Sequence, residues 1–248
     1  MPTIKLSSPK PRSEIFRPEL TRLPRLTLGR RIFRRLIQIT AWMVVRICTR
    51  LEVFGRENIP KKGPVILVSN HLGDADVVVG LAVTAAPYDV LGKVELYDHP
   101  IAGRLMEPYG TIWVHRGRPD RRAIQAALEG LSEGRMIAIA PEGRESLDGT
   151  LEEGTGGAVY LALKAKVPVI PVAITGTENW RLYGNLKRLH RTRVTFTVGE
   201  RFLIEEKGNR RESIDAGTQK VMLTLARMLP PEYQGAYQHL VENEDGSR

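Results

Sequence analysis

The feature that most constrains this sequence is a regular alternation of short apolar runs with longer segments of mixed polarity. Apolar side chains dominate the short runs, which are 64–69, 89–92, 111–114, 135–140 and 168–174. Runs of this length are typical of buried β-strands. The longer segments between them, 75–86, 99–108, 119–132 and 154–166, predict helices. Strands that alternate with helices predict an α/β fold, with a mostly parallel sheet flanked by helices.

Two later segments extend this pattern. Apolar and polar residues alternate along 193–200, as expected of a half-exposed strand. The segment 211–229 predicts a closing helix, after which the sequence is polar. We therefore expect one domain over residues 51–230 and a polar tail over 231–248, and a chain of 248 residues is long enough to bury a sizeable core.

Positive charge is concentrated in the first fifty residues. They hold twelve Lys and Arg against two Glu, whereas the rest of the chain holds 25 basic and 26 acidic residues. A basic segment of this kind favours a polyanionic partner, either nucleic acid or an anionic membrane surface. Nucleic acid is disfavoured because aromatic residues make up only 6% and no recognition motif is present. Five prolines predict that residues 1–28 form an extended basic arm.

Residues 29–50 predict an amphipathic helix. On a helical wheel a basic arc opposes an apolar arc. The basic arc contains Trp42 and the arginines Arg31, Arg34, Arg35 and Arg46. The apolar arc includes Ile32, Leu36, Ile39, Met43 and Ile47. This pattern predicts a helix in a membrane interface, with its arginines near lipid phosphates. The alternative is a basic surface helix that packs against its own domain.

Several features bear on location. Arg46 interrupts an apolar run that is shorter than a membrane span requires. The first thirty residues lack the apolar stretch and cleavage site of a secretory signal. Cys48 is the only cysteine, which excludes a disulfide framework and a multi-cysteine zinc site. We therefore expect peripheral or monotopic attachment to the cytoplasmic side of a membrane, without a transmembrane span.

Chemically versatile residues follow the predicted strands. His71 and Asp76 follow the first strand in the sequence Asn70-His71-Leu72-Gly73-Asp74-Ala75-Asp76, and Lys93 follows the second. The third strand is followed by His115-Arg116-Gly117-Arg118, and the fourth by Pro141-Glu142-Gly143-Arg144-Glu145. Because sites in parallel α/β sheets gather at the carboxyl ends of the strands, these residues are predicted to share one edge.

In this order and at these separations, the blocks resemble the glycerophospholipid acyltransferase family typified by lysophosphatidic acid acyltransferase. The lead-in Phe54-Gly55-Arg56-Glu57-Asn58-Ile59-Pro60 and the two prolines of Val167-Pro168-Val169-Ile170-Pro171 extend the resemblance. It covers roughly residues 52–200. The resemblance implies an O-acyltransferase that moves an acyl chain from acyl-CoA or acyl carrier protein to the hydroxyl of a lysophospholipid acceptor.

The family's catalytic pair matches His71 and Asp76. A neutral imidazole suits the removal of a hydroxyl proton near neutral pH, and a carboxylate on the far ring nitrogen fixes the tautomer and stabilises the imidazolium. The resemblance therefore implies that His71 is the general base and that Asp76 orients it. No metal or cofactor is expected; the expected partners are an anionic membrane surface, the lysophospholipid and the acyl donor.

The resemblance also implies an acceptor site, formed by Lys93, Arg116, Glu142, Gly143 and Arg144. Arginine binds phosphate oxygens through a planar fork, and glycine allows close backbone approach. The sequence departs from the family here, because the usual third block, Glu-Gly-Thr-Arg-Ser, has arginine fourth, whereas this chain has Arg144 third and Glu145 fourth. Either Arg144 reaches the same anion, or the acceptor is a different lipid or glycolipid.

A function of another class also deserves weight. A metal-dependent phosphohydrolase could use His71, Asp74 and Asp76 as ligands. That hypothesis leaves Arg116 and the Glu142-Gly143-Arg144 block without a role. The acyltransferase hypothesis accounts for all of them.

Overall fold

The computed structural model describes residues 9–117 and 119–245. Its strands are β1 (Thr49–Phe54), β2 (Val65–Ser69), β3 (Asp89–Lys93), β4 (Ile112–Val114), β5 (Met136–Ile139), β6 (Val169–Thr175) and β7 (Thr192–Val198). Its α-helices are α1 (Leu28–Cys48), α2 (Ala75–Val83), α3 (Ala102–Tyr109), α4 (Arg121–Ser132), α5 (Gly157–Ala165), α6 (Asn179–Lys187), α7 (Arg210–Met228) and α8 (Gln238–Asp245).

The seven strands form one sheet in the order β1-β7-β6-β2-β5-β3-β4. Neighbouring strands run parallel except for β6 and β7, which are antiparallel. The predicted α/β fold with a mostly parallel sheet is therefore confirmed. The sequence did not reveal β1, whose residues alternate with charged side chains instead of forming an apolar run.

Helices cover both faces of the sheet. Ile66 and Val68 of β2 belong to one buried cluster, which also contains residues of α4, α5 and α7. Val65 and Leu67 belong to the other cluster, with residues of α1 and α2. Successive side chains of a strand point to opposite faces, so β2 contributes to both halves of the core. Two apolar layers thus fix the carboxyl end of β2, where the predicted catalytic motif begins.

The helix α1 buries part of its predicted basic arc and leaves Arg31, Arg35 and Arg46 exposed. Arg34 and Gln38 are buried; the Arg34 guanidinium lies 2.7 Å from Asp89, and the Gln38 amide donates to the Thr84 carbonyl. Most of the predicted apolar arc is also exposed, through Ile32, Leu36, Ile39, Met43, Val44 and Ile47, as are Leu28 and Trp42, whereas Phe33 and Ile37 pack against the core. The prediction that the whole basic arc faces lipid phosphate is therefore wrong, because Arg34 neutralises a buried carboxylate.

The helices were also compared with the length and hydropathy that a transmembrane helix requires. Within 9–117 and 119–245, no helix is long and apolar enough to cross a membrane. Before α1, residues 9–27 are not helical and lie across the sheet edge, with Leu20 and Thr21 buried.

The prediction of a polar tail over 231–248 is wrong for residues 231–245, the part of it that the structure describes. Tyr233 is buried in the core, and its hydroxyl donates to Glu178 at 2.6 Å. Tyr237 packs against the same cluster, and α8 follows it. Aromatic side chains with hydrogen-bond partners thus attach this segment to the domain. Residues 246–248 lie outside the described part of the chain.

Candidate active site

His71 lies in the turn between β2 and α2, where Asp76 holds its ring. The His71 Nδ1 atom is 2.8 Å from Asp76 Oδ2, and the same oxygen accepts the backbone N–H groups of Leu72 and Gly73. Asp76 is buried, whereas the His71 side chain keeps 26% of its surface exposed. The carboxylate therefore shapes the turn and fixes the imidazole, and Nε2 remains as the ring nitrogen that can accept a proton.

Two opposing influences set the pKa of His71. Burial, the largest influence, lowers the pKa, but the hydrogen bond to Asp76 and the charges of Asp76, Glu145 and Glu142 raise it. The net result is a pKa above its ordinary value of 6.5. The carboxylates around His71 therefore make it a stronger base than a histidine in water.

We predict that this shift appears in the pH dependence of activity. Protonated His71 cannot accept a proton, so kcat/KM should fall as pH decreases through the raised pKa, with the midpoint above 6.5. Glu145→Gln removes one of the charges that raise the pKa and should move the midpoint to lower pH. A pH–rate profile of both proteins checks this. A midpoint below 6.5 for the unmodified protein would contradict it.

Glu142 supports His71 from the loop after β5, the strand next to β2. Its fully buried carboxylate accepts the His71 backbone N–H at 2.8 Å and the Glu152 backbone N–H at 2.8 Å. Burial raises the pKa of Glu142 to about 7. The carboxylate thus joins the turn after β2 to the loop after β5. The prediction that Glu142 binds the acceptor is wrong for its side chain, which reaches no solvent.

Gly143 and Arg144 follow in the same loop. Gly143 is exposed and has a φ of +74°, a backbone conformation that favours glycine. The Arg144 Nε atom donates to Glu152 at 2.7 Å, and one of its terminal nitrogens donates to the Pro9 carbonyl at 3.3 Å. Its side chain is only 8% exposed. The structure thus gives Arg144 an internal ion pair at the place where the resemblance implies an acceptor ligand.

Lys93 and Arg116 lie further along the same edge. The order β2-β5-β3-β4 separates Arg116 from His71 by three strand spacings, roughly 14 Å at the backbone. Burial raises the pKa of nearby Glu95. A hydrogen bond from Ser13 and the charges of Arg116 and Lys93 lower this pKa by more, so the net shift is downward. Arg116 Nε is buried without a hydrogen-bond partner. The two cations therefore face one carboxylate in a different part of the edge from His71.

A second His–Asp pair has the same spacing and a different environment. His115 Nδ1 lies 2.7 Å from Asp120 Oδ2, and His115 Nε2 accepts the Arg17 backbone N–H at 3.0 Å. The His115 ring is buried beside Phe16. Both ring nitrogens are engaged, so this pair holds the N-terminal arm and has no nitrogen left for a substrate proton. The sequence contained the spacing, but only the structure distinguishes the two pairs.

The metal-site alternative receives no support from the arrangement of side chains. Among residues 9–117 and 119–245, no group of three or more His, Cys, Asp or Glu side chains is placed to hold a metal ion. Asp74 is exposed, and Asp76 Oδ2 already accepts three hydrogen bonds. His71 and Asp76 therefore act as parts of one hydrogen-bonded turn.

The fold and site together define an α/β protein with a histidine–carboxylate pair at the end of a central parallel strand. The chain belongs to the Acyltransferase family, whose model matches residues 50–175. A crystal structure of the 1-acyl-sn-glycerophosphate acyltransferase PlsC from Thermotoga maritima has a similar fold. Its TM-score is 0.60 at 23% identity, over 80% of this chain and 81% of that chain.

Two sequence relatives are similar over the central region. A 1-acyl-sn-glycerol-3-phosphate acyltransferase from Borreliella burgdorferi is 32% identical over 60% of this chain and 59% of its own length. A lyso-ornithine lipid O-acyltransferase from Pseudomonas aeruginosa is 36% identical over 56% of this chain and 54% of its own length. The chain thus spans less than two thirds of these relatives. The matches confirm the resemblance to the glycerophospholipid acyltransferases.

Proposed function

We propose that this protein is a membrane-associated O-acyltransferase that acylates the hydroxyl of a lysolipid. The observation that carries the proposal is the His71–Asp76 pair, in which a buried carboxylate holds Nδ1 while the ring stays partly exposed. Family membership supports acyl transfer as the reaction class. Acyl-CoA or acyl carrier protein serves as the donor.

The reaction needs one base and no change of oxidation state. His71 Nε2 takes the acceptor's hydroxyl proton as the oxygen attacks the thioester carbonyl, which forms the new C–O bond. Asp76 stabilises the imidazolium that results. The C–S bond then breaks, and the imidazolium returns its proton to the departing thiolate. No step requires a metal or cofactor, so activity should survive chelation by EDTA.

The first acceptor to test is a lysophosphatidic acid-like lysophospholipid. The name of the B. burgdorferi relative supports this acceptor class. Lys93 and Arg116 supply positive charge on the edge of the sheet that carries His71. Guanidinium and ammonium groups bind phosphate oxygens through charge-assisted hydrogen bonds. In this assignment the loop after β5 forms the part of the acceptor site nearest His71.

A second acceptor class follows from Glu145. Its carboxylate accepts a hydrogen bond from Asn179 at 3.1 Å, and its charge contributes to the raised pKa of His71. A carboxylate in this position repels phosphate and attracts an ammonium group. Arg144 is meanwhile paired with Glu152. These features favour a lipid whose headgroup carries an amine, as the name of the P. aeruginosa relative indicates for that protein.

We propose peripheral or monotopic attachment to the cytoplasmic side of a membrane, and the exposed apolar arc of α1 supports the membrane contact itself. Large apolar side chains that stay exposed in one contiguous strip mark an interaction surface. Arg34, Gln38, Ala41 and Val45 of the same helix are packed on the domain. In this proposal the apolar arc inserts into the lipid surface that holds the acceptor.

We predict that Ile39→Asp weakens binding to lipid vesicles at least tenfold. The substitution places a charge on the surface that inserts, and Ile39 is 47% exposed, so the fold should tolerate it. Leu189→Asp is the matched control, because Leu189 is 94% exposed on a loop outside α1. Vesicle co-sedimentation checks both variants. Equal binding by Ile39→Asp and the unmodified protein would show that the membrane contact lies elsewhere.

The acceptor assignment is tested with a panel of lysolipids. The purified protein is incubated with radiolabelled acyl-CoA and either lysophosphatidic acid, lyso-ornithine lipid or a neutral monoacylglycerol. Transfer of label to lysophosphatidic acid supports the first acceptor class, and transfer to lyso-ornithine lipid supports the second. Transfer to none of them, with either acyl-CoA or acyl carrier protein as donor, would contradict the proposed function.

A further inference from the structure

The N-terminal arm, residues 9–17, lies along the carboxyl edge of the sheet and joins the two parts of the site. Ser13 donates its backbone N–H to the Arg116 carbonyl at 3.1 Å, and its hydroxyl oxygen accepts the Arg116 backbone N–H at 2.8 Å. Arg17 donates to His115. A side chain at Gly117 would collide with the Arg12 backbone. The arm is therefore fixed in place over the loop after β4.

The other end of the arm reaches the loop after β5. The Lys10 ammonium donates to the Glu142 carbonyl at 2.6 Å and to the Glu153 carbonyl at 2.7 Å. Glu142 also binds the His71 backbone through its carboxylate, so one residue connects Lys10 to the catalytic turn. Lys10 is only partly buried. The arm thus places an ammonium group beside the loop that lies nearest His71.

Lys10 is important at this loop because Arg144, the cation expected to bind the acceptor there, is engaged in an internal ion pair. The Arg144 side chain is almost fully buried and paired with Glu152. An ammonium has three N–H donors, and the two carbonyls account for two of them. A third donor on a partly exposed side chain can bind an anionic oxygen.

We infer that Lys10 binds the anionic group in the headgroup of the acceptor lipid, a phosphate or a carboxylate, at the loop after β5. The inference rests on the proposed function for the identity of the acceptor. It also gives the arm a role in substrate binding, because Ser13 and Arg17 hold it across the edge while Lys10 completes the site. Arg144 then acts through Glu152 as a support for the loop.

Equilibrium binding tests the inference without depending on turnover. Lysophosphatidic acid and lyso-ornithine lipid are titrated separately into the unmodified protein, Lys10→Gln and Lys10→Arg, with calorimetric detection. Loss of one charge-assisted contact should raise the Kd of the lipid that binds by about tenfold or more in Lys10→Gln. Lys10→Arg, which keeps the charge, should restore most of the affinity. Lys62→Gln is the matched control, because Lys62 is exposed just before β2, at the opposite edge.

The outcomes separate this inference from the proposed function. If neither lipid binds the unmodified protein, or if Lys10→Gln binds as tightly as the unmodified protein, the inference is overturned. Tighter binding by Lys10→Gln would also overturn it and would show that the arm blocks the site. If Lys10→Gln weakens binding but the unmodified protein transfers no acyl group, the proposed function fails and the Lys10 site stands.

Discussion

Replacement of His71 by alanine should lower kcat for acyl transfer by a factor of about 10² to 10⁴, with little change in the stability of the fold. The variant loses the proton acceptor but keeps the backbone N–H that binds Glu142. Asp76→Asn should cause a loss of similar size, because the amide no longer fixes the tautomer of the ring. Steady-state kinetics at saturating substrates measures both losses. Retention of more than a tenth of the original turnover by His71→Ala would reject the mechanism.

The chain offers two controls for this experiment. His190 is exposed and outside the site, so His190→Ala should leave kcat unchanged. His115→Ala removes a buried ring that accepts the Arg17 backbone N–H and pairs with Asp120. Because that ring holds the arm, its removal should lower thermal stability and weaken acceptor binding. A selective loss of kcat in His115→Ala, equal to that in His71→Ala, would show that the wrong pair had been assigned to catalysis.

The largest effect on stability is expected at Asp89. Its fully buried carboxylate lies 2.7 Å from the Arg34 guanidinium and 3.5 Å from that of Arg135. Asp89→Ala leaves both cations in the interior without the carboxylate. Removal of one partner from a buried ion pair costs about 3–5 kcal/mol. For a chain of this length, the unfolding midpoint should fall by on the order of 10 °C, as calorimetry would show.

An exposed ion pair provides the matched control. Glu52 and Arg193 lie 2.9 Å apart on the surface, and water surrounds both side chains. Glu52→Ala should therefore change the unfolding midpoint little. If Asp89→Ala unfolds at the same temperature as Glu52→Ala, α1 is not anchored to the domain by this contact, and its assignment as a packed helix with an exposed apolar arc would need revision.

The sheet and the His71–Asp76 pair were predictable because their signals are local. The predicted strands are apolar runs within one segment, and the pair lies within six consecutive residues. β1 was missed because its pairing partner is β7, more than a hundred residues away, and its own side chains carry charge. A strand of that kind depends on a long-range contact that periodicity does not report.

The direction in which α1 faces could not be predicted for the same reason. A helical wheel separates Arg34 from Leu36, but it does not reveal that Asp89 is buried beneath the helix. Nor does the sequence around Arg144 reveal that Glu152 is its partner, or that Lys10 donates to the Glu142 carbonyl in the same loop. Charged residues were interpreted as exposed ligands, although buried carboxylates can hold them inside.

The central claim is that His71 activates a lipid hydroxyl for direct attack on a thioester. The most direct test measures CoA release and ester formation together, with radiolabelled acyl-CoA and the lysolipid that the unmodified protein accepts. We predict one new ester for each CoA released by the unmodified protein, and rates of both products lower by a factor of about 10² to 10⁴ with His71→Ala. CoA release without ester formation, or ester formation by His71→Ala at the original rate, would contradict the account.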